Sequence, residues 1–185
     1  MDLAGYVRLM ARNNAWSNHR LLRACSSLHP GEFFAARTSF FPSLQATLNH
    51  ILAVDCYYID ALEMGGLGPS AFGDYQAHGD ADSLLVAQSA SDKRLIDLCD
   101  RETQKTLQSV VVTDRGDAGA FNEIRINLFM HLFLHQIHHR GQAHAMLAGS
   151  SVKPPQIDEY LLEFDREARA KDLSEQGLEG PEAFR

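Results

Sequence analysis

Four histidines, His131, His135, His138 and His139, stand close together in an apolar stretch that ends in Arg140-Gly141-Gln142. Residues four apart lie one turn above one another on the same face of an α-helix, so His135 and His139 can aim two imidazoles at one point, and so can His131 and His135. That is how a helix offers a pair of metal ligands. One ion does not take all three, because the stripe from His131 to His139 is about 12 Å long at a rise of about 1.5 Å per residue, whereas metal–nitrogen bonds are about 2.0–2.1 Å. The pair His135 and His139 is preferred for its closeness to the Arg-Gly-Gln that follows. That choice leaves His131 either beside the ligands or in the core. His138, about 100° round the helix from His139, faces a neighbouring helix or solvent.

Two imidazoles are too few for a catalytic zinc-type site, which takes three protein ligands and keeps one position open. The third must come from another helix, and His50, in Leu48-Asn49-His50-Ile51-Leu52, is the candidate. The competing reading is a polar histidine network in the core that holds no metal. Three neutral imidazoles suit zinc, nickel or another first-row divalent ion rather than magnesium or calcium. The open position either activates a water, giving a hydrolase, or deprotonates a low-molecular-weight thiol, giving transfer of that thiol to an electrophile. No carboxylate offers itself as a general base: Asp55 falls on a different face from His50, and Glu123 lies well before His131. That favours thiol chemistry. Asn14, Asn18 and Gln142 are the polar groups expected to orient ligands or substrate. Arg140 reads as a structural ion-pair partner. Gly141, which costs about 1 kcal/mol in a helix interior relative to alanine, predicts close approach of a neighbouring segment. His19, His29, His78 and His144 stand in polar or loop contexts and read as surface residues.

Four amphipathic helices must position these groups. The first spans residues 2–28, with Leu3, Val7, Met10, Leu21, Cys25 and Leu28 at helical spacing and a stop at His29-Pro30-Gly31. Asn14, Ser17 and Asn18 interrupt its apolar stripe, so polar side chains point inward halfway along and need buried partners. Pro42 and Ser43 open a second helix that runs to Met64. Residues Gly65 to Asp82, rich in Gly, Ala, Asp and Ser, read as a loop long enough to be a lid or rim. A third helix spans 83–100. Val110-Val111-Val112 before Thr113-Asp114-Arg115-Gly116 predicts a small hairpin, and a fourth helix runs from Asn122 to Leu147. Pro154-Pro155 then separates a short fifth helix, Ile157 to Ala168. The polar residues Ser174 to Arg185 predict a loosely held tail. The domain is expected over residues 1–173, with the tail at 174–185. With no alternation of strand and helix, the pattern is that of an all-α four-helix bundle, which places metal sites in its core.

Composition narrows the function classes. The 185 residues carry 45% hydrophobic and 22% charged side chains, ordinary for one soluble domain. The net charge of −7 and the absence of clustered Lys and Arg exclude a phosphate-backbone binder, so nucleic acid is not an expected partner. No apolar run approaches the roughly 20 residues that cross a bilayer, and Met1-Asp2-Leu3 opens neither a basic leader nor a signal core. A cytoplasmic protein acting on a small molecule, without membrane contact, is the expectation. Cys25, Cys56 and Cys99 form neither a disulfide framework nor a C-x-x-C pair and read as small buried hydrophobes.

Taken together, Asn14-x-Trp16-x-Asn18 with Leu21-Leu22, then Leu48-Asn49-His50-Ile51, then His131-x-x-x-His135-x-x-His138-His139-Arg140-Gly141-Gln142 resemble the DinB/YfiT-like superfamily from Leu3 to Leu147. The resemblance implies an up-down-down-up bundle, often a homodimer, that holds a divalent metal on three histidines matching His50, His135 and His139. It also implies the reactions known among relatives, thiol-dependent transfer or isomerisation and metal-dependent hydrolysis; the rival reading is a non-catalytic bundle whose metal is structural or serves in sensing or stress response.

Overall fold

The computed structural model describes residues 1–184 and is predominantly helical. Four long helices, α1 (Leu3–Cys25), α2 (Leu44–Glu63), α4 (Ala81–Asp100) and α6 (Arg125–Leu147), form the bundle. Between them lie two single-turn helices, α3 (Ser70–Gly73) and α5 (Gln104–Leu107), and a hairpin of β1 (Val110–Asp114) and β2 (Ala120–Ile124). The chain closes with α7 (Arg166–Gln176). No helix among the described residues is long and apolar enough to cross a membrane.

Helix starts are set by side-chain caps. Asp2 accepts from the Gly5 N–H at 2.8 Å, Ser43 from Ala46 at 3.1 Å and Asp80 from Ser83 at 2.8 Å, each satisfying a donor that the first turn leaves free. Helix α2 ends where Met64 turns left-handed at φ 59°. Its carbonyl at Leu62 accepts from Arg125 Nη1 at 2.6 Å, joining the end of α2 to the start of α6. Those two helices therefore run antiparallel. Arg12 pairs with Asp100 at 2.8 Å and Arg8 donates to the Glu102 carbonyl, so α1 and α4 are antiparallel as well. Leu21, Leu22 and Cys25 pack with Ala143, Met146 and Leu147, which makes α1 and α6 parallel. The order is thus up-down-down-up.

The apolar core comes in two parts. One, built around Val7, Ile59, Leu95 and Phe129, fills the end of the bundle where α1 and α6 begin, and the other, built around Leu22, Leu48, Leu84 and Leu147, fills the opposite end. A buried polar layer separates them: Asn14 and Asn18 of α1, Asp55 of α2, Gln88 and Asp92 of α4, and Gln136 and Arg140 of α6.

Several local expectations need correction. The fourth long helix begins at Arg125, not Asn122, because residues 120–124 pair with 110–114. The fifth helix lies at Arg166–Gln176 rather than Ile157–Ala168. Residues 157–162 are non-helical and set Tyr160 against Trp16, ring centroids 5.4 Å apart. The tail is not loose. Leu178 and Phe184 join the cluster of Leu9, Trp16, Tyr160 and Leu173, Arg12 lies 4.8 Å over the Phe184 ring, and Pro181 is buried; Arg185 lies outside the described residues. The Gly65–Asp82 loop is tied down, since Leu67 N–H donates to Asp60, Phe72 stacks on Tyr57 and the backbone of His78 brackets Asn49.

Candidate metal centre

At the level of the polar layer, on the seam between α2 and α6, three histidines converge. His50 comes from α2, His135 and His139 from successive turns of α6, and one nitrogen of each lies within 4.8 Å of the others. The Nε2 atoms of His50 and His135 are 3.0 Å apart. Two ligands of a tetrahedral ion with bonds of about 2.0–2.1 Å stand about 3.3 Å apart, so the pair is close to ligand spacing. Gln142, one turn on from His138, places Oε1 2.8 Å from His139 Nδ1, which leaves Nε2 as the free nitrogen of that ring. His50 and His139 are further held by Phe41, whose ring lies 4.3 Å from one and 5.6 Å from the other.

Electrostatics keep the imidazoles uncharged. Burial, with His139 nearby, pushes His50 down to about 4; burial and the surrounding histidines push His135 down to about 3; His139 is lowered mainly by burial. All three therefore present lone pairs at neutral pH. Two neutral rings set nitrogen to nitrogen share at most one hydrogen bond, and Nδ1 of His135 is buried without any partner. The protein's own hydrogen bonds leave this cluster unsatisfied, and a divalent cation fits its donor set.

Among the described residues no carboxylate shares the cluster. Asp55 turns into the polar layer, where it accepts from Gln136 Nε2 and, at 2.8 Å, from Gln88. Asn14 and Asn18, expected beside ligands or substrate, are also in that layer. Their amides donate to Asp92 at 3.1 and 2.9 Å, and their oxygens accept from Arg140 Nη1, so neither is free to touch a bound molecule. Of the three expected orienting groups only Gln142 meets the histidines. Arg140 is structural as expected, though it works through amides, since it also donates to Gln136 Oε1 at 3.0 Å.

His131 is not part of the triad. Its ring centroid is 6.3 Å from that of His135 and 4.9 Å from that of Tyr58. His138 is exposed, with Nε2 3.1 Å from Gln142 Nε2. A Cβ at Gly141 would meet nothing within 4 Å outside its own helix, so no neighbouring segment packs where the side chain would be.

The polar layer itself was missed as a unit. Its signal was available: Asn14 and Asn18, Gln88 and Asp92, Gln136 and Arg140 are each an i, i+4 polar pair on an inward face. Gln136 and Arg140 follow His135 and His139 by one residue, so the layer braces the backbone of both ligands. Phe41 carried no periodic signal, because the segment before α2 is irregular.

The family model described as the DinB family matches residues 2–171 of the chain. No curated protein matches it.

Proposed function

The chain belongs to the DinB family, and from that premise we propose that it is a metal-dependent enzyme that transfers a low-molecular-weight thiol to an electrophilic small molecule. The observation that carries this reading is the convergence of His50, His135 and His139 within 4.8 Å, all held neutral. Bound there, zinc or nickel supplies the Lewis acidity that makes a thiol or a water an anionic nucleophile at neutral pH.

The residues of the chain do the rest. Three uncharged rings, His50, His135 and His139, would hold the ion, the number of protein ligands that catalytic sites use. Gln142 fixes the orientation of His139. Phe41 packs against the His50 ring and covers that side of it. The absence of a carboxylate from the cluster separates the two chemistries. Attack by water gains from a positioned base, whereas a thiol that has lost its proton to solvent needs no further base to attack. Thiol transfer is therefore favoured over hydrolysis.

The test is consumption of a thiol by zinc- or nickel-loaded protein in the presence of an activated aryl halide or epoxide. The expected result is a rate above solution that disappears in His50→Ala. Metal-loaded protein that hydrolyses esters but consumes no thiol would replace this reading with the hydrolytic one.

A further inference from the structure

A cation without an ion pair stands at the hairpin end of the row of rings that leads through Tyr58 and His131 to the triad. Arg115 closes the turn after β1, and its guanidinium lies 5.4 Å from the ring centre of Tyr57 and 5.3 Å from that of Tyr58. Tyr58 in turn packs on His131, one helical turn before the ligand His135. The hairpin is anchored there, since Tyr57 donates from its hydroxyl to the Asp114 carbonyl at 2.5 Å and Gly116 N–H donates to Asp114 Oδ1 at 2.9 Å. Arg12, Arg20, Arg94, Arg101, Arg125, Arg166 and Arg169 all pair with carboxylates, but Arg115 does not. Glu123 on β2 faces the same corner, and its charge acts on both Arg115 and His131.

Arg115 donates one hydrogen bond to Tyr58, and a guanidinium, with five N–H donors, keeps others for a planar anion. We infer that Arg115, with Tyr58 and His131 as the floor between it and the metal ligands, binds the carboxylate of the small molecule whose other end reaches the triad. This rests on the metal-dependent reading above and assigns its substrate class: a small molecule with a carboxylate at the end away from the reacting atom. Neutral or cationic molecules of equal length lack this contact.

Cobalt-loaded protein supplies a binding readout that needs no turnover, because thiolate coordination adds a charge-transfer band to the cobalt spectrum. Mercaptohexanoate and mercaptohexanol have the same reach and differ in charge. The expected result is binding of the acid about tenfold tighter than the alcohol, in line with one charge-assisted contact. In Arg115→Gln that ratio falls to about one while the ligand-field bands of cobalt show the triad intact; in Glu123→Gln it rises. An equal ratio in the wild type and Arg115→Gln, or no preference in the wild type, overturns the inference alone. Failure of cobalt to bind at all overturns the metal-dependent reading, and this inference with it.

Discussion

Gln142 holds Nδ1 of His139 at 2.8 Å from a position less than one turn further along the same helix. The hydrogen bond commits the ring to one orientation from within its own helix, and Phe41 packs beside it. Groups that brace a metal-bound imidazole typically contribute 10–100-fold in affinity. Gln142→Leu should therefore weaken zinc binding by about that factor, read by competition with a chromophoric chelator, while Gln142→Glu, which keeps an acceptor, retains most of it. Equal affinities in all three proteins would show that His139 is positioned by packing alone.

Proton competition at the triad has a definite sign. The depressed values of His50 and His135, about 4 and about 3, mean that protons begin to displace metal only as pH falls well below the usual histidine range near 6.5. In the metal-free protein the same shifts contribute stability that is fully present above about 6.5 and is lost as pH falls through the folded values. Metal affinity should stay nearly level from pH 7.5 to about 6 once the ligands alone are considered. A steep tenfold loss per pH unit in that interval, measured by the same competition, would contradict it.

The buried carboxyls give the opposite slope. Burial, reinforced by Asp92, pushes Asp55 up to about 8, and burial pushes Asp92 up to about 6. Folding thus favours the protonated acids, so their contribution is present at low pH and is lost as pH rises through those values. Thermal melts of metal-free protein should fall between about pH 6 and pH 8, where Asp55 is protonated only in the folded state, and Asp55→Asn should flatten that fall. A melting temperature level across that range in the wild type would show that Asp55 is charged throughout.

Arg140 is fully buried between two carboxyls, and burial pushes it down to about 10 despite them. Replacing it with methionine leaves Asn14, Asn18 and Gln136 without their shared donor and the Asp92 carboxylate without compensation. The expected loss is about 3–5 kcal/mol in urea unfolding, the usual cost of removing one partner from a buried charged network. Adding Asp92→Asn should recover part of it. A loss below about 1 kcal/mol would place Arg140 outside the network's energetics.

Much of this was legible in the chain. Apolar spacing and the breakers at Pro30, Pro42 and Gly149 located the long helices, because burial on one face imposes a 3.6-residue period whatever the partner is. The triad was legible for a related reason: His135 and His139 share a face, and His50 is a polar residue set among apolar neighbours. What escaped depends on partners distant in sequence. Ile157 and Tyr160 have helix-like spacing, yet both pack with Trp16, and they reach it in an irregular segment after Pro154-Pro155. The tail looked polar because only Leu178 and Phe184 carry its docking. Asp55 and Asp92 became a pair only through the parallel register of α2 and α4, which no local pattern encodes. Phe41 and Arg115 reach the site from irregular or turn segments whose paths are set by the helices they join.

The central claim is a metal held across two helices, and metal content tests it most directly. Untagged protein refilled with zinc or nickel and freed of excess should carry about one ion per chain by elemental mass spectrometry, as one three-histidine site requires. His50→Ala and His135→Ala should each lose it while keeping the helical circular dichroism of the parent. Stoichiometric metal retained in both variants, or none in the refilled parent, would contradict the account.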